Sequence, residues 1–121
     1  MSSGNSPLNV PSFPKASQLS GQDTWWPFKD QVELTIEVRG LKGYLNGSIP
    51  KPTTPTSILL RWHLHPTAIL HPQEWNQREW MVASIIYLNC TNPVGLGIER
   101  GTLASKTWEY LVKKYEARNE Q

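Results

Sequence analysis

The stretch from Pro72 to Cys90, PQEWNQREWMVASIIYLNC, constrains the fold more than any other part of the chain. It is too long for one ordinary strand, and Pro72 suits the first position of a helix, where its missing N–H would have no partner. The second half, WMVASIIYL, is apolar on almost every side. A helix of that composition is normally enclosed by other elements, so the rest of the chain must cover it.

Size, charge and cysteine content limit the class of protein. The chain has 121 residues, enough for one small domain, and its 12 basic and 10 acidic residues are spread along it rather than clustered as in a nucleic-acid-binding domain. A single cysteine, Cys90, excludes an internal disulfide and a cysteine-based zinc site. No signal peptide is predicted, and no apolar run approaches the ~20 residues of a membrane span. We expect a cytoplasmic (intracellular) protein with no membrane partner.

The sequence predicts three consecutive parts. Residues 1–22 are rich in Ser, Pro, Asn and Gly, so we predict a disordered or loosely attached segment, with docking of Leu8, Val10 and Phe13 on the domain as the alternative. Residues 23–118 are predicted to form a helical domain, and residues 119–121 are its tail. Within the domain, residues 46–71 carry several prolines and no sustained helical period, which predicts a long, extended Pro-rich loop.

Two patterns compete between Trp25 and Val38. Trp25, Phe28, Val32 and Ile36 recur at helical spacing, whereas apolar and polar residues alternate strictly from Val32 to Val38. The alternating residues are mostly β-branched, as in strands. Periodicity alone therefore leaves helix and strand open for this segment.

The last helix is predicted over residues 102–118, with Thr102 as its N-cap. Trp108, Leu111 and Tyr115 follow a three-to-four-residue spacing on one face. An equivalent N-cap, at Asp23 or Thr24, is predicted ahead of the segment that begins at residue 25.

No residue pattern indicates catalysis or metal binding. His63, His65 and His71 cluster, but no carboxylate lies between residues 37 and 74 to complete a zinc site, so we interpret them as exposed loop histidines. Cys90 ends an apolar helix and is interpreted as a small core residue. We therefore predict no catalytic residue, no metal, no cofactor and no small-molecule substrate, and a protein that is not an enzyme.

The six tryptophans allow two interpretations. Exposed tryptophans can stack on the bases of single-stranded nucleic acid. Most of them, however, occupy helix-face positions that core packing explains. Trp26 and Trp62 are predicted to be the least buried.

Several groups of residues occur in a recognisable order: WWPFK at 25–29, GLKGYLNGSIPKP at 40–52, EWNQREWMVASIIYLN at 74–89, and a closing helix from Thr102 to Tyr115 with the pattern T-L-A-x-x-x-W-x-x-L-x-x-x-Y. Together they resemble the N-terminal Gag region of copia-type LTR retrotransposons. The resemblance covers roughly residues 20–118.

The resemblance implies an all-α fold, a compact bundle of four to five short helices like a capsid N-terminal domain, with residues 32–38 helical. It implies a structural protein that self-associates into virus-like particles around element RNA. The zinc knuckle that usually follows in Gag is absent, so we expect a piece of a longer polyprotein or a domesticated derivative, with at most weak RNA binding. The alternative function is a co-opted, monomeric protein-interaction module.

Helical spacing and the resemblance together predict a shared core and an interaction surface. Leu60, Trp62 and Leu64, in the Pro-rich loop, are predicted to supply part of a self-association contact. The predicted core consists of Trp25, Phe28, Val32, Ile36, Leu41, Leu45, Trp75, Val82, Ile86, Ala104, Trp108, Leu111 and Tyr115.

Overall fold

The computed structural model describes residues 10–52 and 72–117, and this part of the chain confirms the all-α prediction. Its helices pack around one shared apolar core. Among the described residues, no helix combines the length and apolar character needed to cross a bilayer. In chain order the elements are two 3₁₀ turns, Lys15–Ser17 and Gln22–Thr24, and four α-helices, α1 (Trp25–Val38), α2 (Lys42–Leu45), α3 (Pro72–Leu88) and α4 (Ala104–Glu116).

Helix α1 resolves the competition between helix and strand. Its buried residues are Trp25, Phe28, Val32 and Ile36, which form one helical stripe. Leu34 and Val38, the other members of the alternating pattern, are exposed. Burial of the helical stripe against the rest of the bundle therefore outweighs the local preference of β-branched residues for strands.

A Schellman motif ends α1 and turns the chain into α2. Gly40 has a φ of 71°, which glycine adopts without the steric penalty of a Cβ atom. The Gly40 N–H donates to the carbonyl of Glu37, and the Leu41 N–H donates to the carbonyl of Ile36, each at 3.0 Å. Leu41 and Ile36 are both buried, so the turn brings α2 back onto the core.

Helix α3 ends at Leu88, two residues before the predicted end at Cys90. The Asn89 side chain donates to the carbonyl of Ile85 at 2.8 Å, while the Asn89 carbonyl accepts from the N–H of Leu19 at 3.0 Å. These bonds satisfy backbone groups at the helix end without another helical turn. The prediction of helix through residue 90 was wrong because it could not anticipate this contact with the N-terminal segment.

Helix α4 begins at Ala104 and ends at Glu116, within the predicted range 102–118. The N-cap residue is Leu103, without a side-chain cap, so the predicted cap at Thr102 is wrong. Thr24 is the N-cap residue of α1, as predicted, but its hydroxyl accepts a hydrogen bond from the Ser20 N–H at 2.8 Å and does not cap the helix.

Residues 10–22 pack on the bundle, which corrects the prediction that this part of residues 1–22 is loosely attached. Phe13 and Leu19 are buried in the core. Leu19 forms a parallel bridge with Cys90: its N–H donates to Asn89 at 3.0 Å and its carbonyl accepts from Thr91 at 2.9 Å. Two buried side chains and these bonds anchor a segment whose average composition is polar. Residues 1–9 lie outside the described part of the chain.

Candidate functional site

The residues predicted to form an interaction surface, Leu60, Trp62 and Leu64, lie outside the described residues. The same is true of His63, His65 and His71, and of all of the predicted loop 46–71 after residue 52. The candidate surfaces of the described residues therefore lie on α1–α4 and on the described segments that join them.

All thirteen predicted core residues are buried. Trp25 lies at the centre of their aromatic cluster, with ring-centroid distances of 6.1 Å to Phe28, 5.5 Å to Trp108 and 5.2 Å to Tyr115. A second contact joins Tyr44 of α2 to Trp75 of α3 at 6.0 Å. These contacts join α1 to α4 and α2 to α3, so they hold the bundle together and fix the faces that remain outside.

A charged contact lies next to the aromatic cluster. The Oε2 atom of Glu116 accepts hydrogen bonds from the Lys29 ammonium at 2.7 Å and from the Trp25 indole N–H at 3.0 Å. The hydrogen bond from Lys29 is the main reason that the Glu116 pKa is lowered, and the Trp25 bond acts in the same direction against the effect of burial. The contact ties the last turn of α4 to the first turn of α1.

Because this contact needs an ionised carboxylate, it makes stability depend on pH. We expect Glu116→Gln to lower the free energy of unfolding by roughly 1 kcal/mol at neutral pH. The Glu116 pKa is lower in the folded chain than in the unfolded chain, so its contribution is complete above the ordinary value of 4.5 and is lost as pH falls through the folded value. In urea denaturation over a pH series, the free energies of unfolding of the variant and the parent should become equal in acid.

Glu109→Gln is the matched control for this prediction. Glu109 also lies on α4, but its 3.4 Å pair with Lys113 is exposed on both sides, so the change should have little effect. A stability difference for Glu116→Gln that stays constant across the acid range would contradict the assigned role.

Glu79 of α3 provides the side-chain cap that Leu103, the N-cap residue of α4, does not provide. Its carboxylate accepts a hydrogen bond from the Ala104 N–H, one of the donors at the start of α4 that lack a partner within the helix. Burial raises the Glu79 pKa, and the bond from Ala104 partly opposes that rise. This role could not be predicted from the sequence, because Glu79 and Ala104 are brought together only by the packing of α3 on α4.

Cys90 has the surroundings of an unreactive thiol. Its Sγ atom donates to the carbonyl of Ile86 at 3.2 Å. Burial raises the pKa of the thiol to about 12. At neutral pH the thiol therefore stays protonated, which disfavours nucleophilic attack and metal binding.

The outer face of α3 corrects the prediction that this helix is enclosed on all sides. Met81 and Ile85 are buried, but Trp80 is 54% exposed and Leu88 is 63% exposed. Trp26, predicted to be exposed, has a similar value of 56%. Among the described elements, the other helices cover one side of α3 and leave Trp80 and Leu88 exposed. The polar residues Gln73 and Gln77, which precede Trp80 on the same side, were the signal in the sequence for this exposure.

A groove lies where α3 and α4 meet the segment after α2. Its volume is about 740 Å³. Its lining combines apolar side chains with charges of both signs, from Trp75, Trp108, Val112, Lys51, Lys106, Lys113, Glu79 and Glu109. The groove has the mixed lining of a peptide-sized binding surface.

Neither a metal centre nor a related protein provides a further indication of function. Within the described ranges, no three His, Cys, Asp or Glu residues are grouped so that they could hold a metal ion. Comparisons with protein-family models, with curated proteins and with solved structures find no match to this chain.

Proposed function

We propose that this chain is a structural protein of the copia-type Gag kind, a capsid building block that self-associates into virus-like particles and catalyses no reaction. The observation that carries the proposal is that the motifs behind the resemblance pack on one another. Trp25 of the first motif contacts Trp108 and Tyr115 of the closing helix, and Tyr44 of the second motif contacts Trp75 of the third. The motifs thus describe one packing arrangement, which supports treating them as a single signature.

The exposed apolar side chains support self-association. Capsid assembly uses repeated contacts, each of which needs only a modest patch per subunit. Single exposed apolar residues are ordinary, but grouped ones indicate an interaction surface. Trp80 and Leu88 are 54% and 63% exposed and lie on one side of α3, so they form such a group.

Mass measured by light scattering over a concentration series tests this proposal. We expect the average mass to rise with concentration because the contacts are weak and repeated. Negative-stain microscopy of the most concentrated sample should show regular particles. A single monomer mass at every concentration, with no particles, would contradict self-association.

The groove of about 740 Å³ favours a second candidate function, a monomeric module that binds another protein. Its apolar side chains and its charges of both signs suit an amphipathic segment. A pull-down that recovers one stoichiometric foreign protein, together with a monomer mass in light scattering, would favour this function over the capsid proposal.

A further inference from the structure

One exposed side of α3 is formed by uncharged residues and lies beside the exposed Glu74–Arg78 pair. Gln73, Gln77, Trp80, Ser84 and Leu88 follow one another at spacings of three or four residues, so they lie on one side of the helix. Each of them is exposed or partly exposed. This uncharged, partly apolar strip is defined here as the α3 face.

The charged residues of α3 lie outside the α3 face. Glu74 and Arg78 pair with each other at 3.8 Å, and Glu79 accepts a hydrogen bond from Ala104. A second α3 face could therefore approach without like charges of α3 meeting.

The α3 face contains both a projecting side chain and a groove that could receive one. Trp80 is 54% exposed on it, and an open groove of about 600 Å³, which Trp80 helps to line, lies between α3 and residues 98–102. Leu88 lines the same groove, and the charged residues of its lining are Glu99 and Arg100, of opposite sign. A patch with a projection, a groove and both signs of charge is complementary to a rotated copy of itself.

We propose that the α3 face is an isologous contact with a second copy of this chain. The two α3 helices run antiparallel across a two-fold axis that passes through Ser84. Trp80 and Leu88 each lie four residues from Ser84, so Trp80 of one copy meets Leu88 of the other and enters the groove beside it. This inference rests on the proposed self-association and assigns a surface to it.

The size of the α3 face fits a weak, repeated contact. With the axis at Ser84, the two antiparallel helices overlap from Trp80 to Leu88, a length of about 13 Å. A contact made chiefly along this overlap covers less than the ~800 Å² per partner that is usual for a stable complex. The contact therefore suits an assembly held together by many copies rather than a permanent dimer, and the opposite charges of Glu99 and Arg100 beside the face favour a second copy as its occupant.

Opposite charges at residue 84 test the two-fold axis directly. Ser84→Asp and Ser84→Lys each place two like charges together at the axis, and each should weaken self-association of the full chain by about tenfold or more. An equimolar mixture of the two variants should recover association, because only mixed pairs then bring opposite charges together. Sedimentation velocity over a concentration series measures all three samples.

Trp80→Ala should also weaken self-association by about tenfold or more, since central tryptophans commonly dominate such contacts. Trp26→Ala is the matched control, because Trp26 is exposed to the same extent but lies on α1. Its association should equal that of the parent. Circular dichroism and thermal midpoints establish that every variant keeps the parent fold.

The possible results separate this inference from the proposed function. A parent that associates while Ser84→Asp, Ser84→Lys and Trp80→Ala associate equally well would overturn the α3 face and leave the capsid proposal standing. Charge variants that lose association without recovery in the mixture would overturn the two-fold arrangement. A parent that is monomeric at all concentrations would overturn both proposals.

Discussion

Trp25→Ala is expected to lower the free energy of unfolding by about 3–5 kcal/mol. Trp25 is 0% exposed, and its ring contacts those of Phe28, Trp108 and Tyr115. Truncation leaves a cavity between α1 and α4, and it removes the indole N–H that donates a hydrogen bond to Glu116. Small domains typically have only about 5–15 kcal/mol of stability in total, so the loss is a large share of it. Urea denaturation followed by circular dichroism measures the change.

The neighbouring tryptophan provides the control for this prediction. Trp26 is also a tryptophan on α1, but it is 56% exposed, and the Lys29 ammonium lies 5.1 Å from the centroid of its ring. Trp26→Ala should therefore cost less than about 1 kcal/mol. Equal losses for the two variants would contradict the packing of α1 described above.

Helical spacing and the resemblance together predicted thirteen buried residues but omitted others, among them Leu19, Met81 and Ile98. The stripes Trp25–Ile36 and Trp108–Tyr115 each lie on one helix, so the period of the helix alone places their members on one side. The same reasoning could not decide between helix and strand for residues 32–38, because Val32 and Ile36 fit both patterns. The exposure of Leu34 and Val38 distinguishes the helix from the strand, and this exposure depends on which elements pack against α1.

Features that depend on contacts distant in sequence could not be predicted. Periodicity shows that Trp80 shares a side of α3 with Gln73 and Gln77, but not that the other helices leave this side open. Nothing near Glu79 in sequence indicates that it caps α4. Docking of residues 10–22 was only the alternative expectation for a related reason: average composition is a poor guide when two buried side chains, Phe13 and Leu19, and a few main-chain bonds provide the attachment.

Asn89→Ala should show the energetic value of that attachment, with an expected loss of about 2–4 kcal/mol in the free energy of unfolding. Asn89 is 1% exposed. Its Oδ1 accepts from the Phe13 N–H at 2.8 Å, and its Nδ2 donates to the carbonyls of Pro11 at 3.1 Å and Ile85 at 2.8 Å. Alanine leaves these backbone groups without their partner, and Phe13 loses its anchor.

Proteolysis of native protein adds a second measurement for Asn89→Ala. Cleavage within residues 10–22 should become faster, because the segment detaches more often than in the parent. Asn92→Ala is the control: the Asn92 side chain also accepts a backbone hydrogen bond, from Gly95 at 3.1 Å, but at an exposed site. If both variants lost the same stability and were cleaved at the parent rate, Asn89 would not be the anchor of this segment.

Asn89→Asp distinguishes the hydrogen-bonding role of this residue from its shape. Aspartate keeps an acceptor for the Phe13 N–H, but its second oxygen would face the carbonyl oxygens of Pro11 and Ile85, to which only a protonated carboxyl can donate. Burial beside these oxygens should raise the carboxyl pKa above the ordinary value of about 3.9. The folded variant then binds a proton more readily than the unfolded chain, so its stability relative to the parent should increase as pH falls through the raised pKa. Glu116 has the opposite dependence, and a constant stability difference between Asn89→Asp and the parent across the acid range would contradict the buried donor role of Asn89.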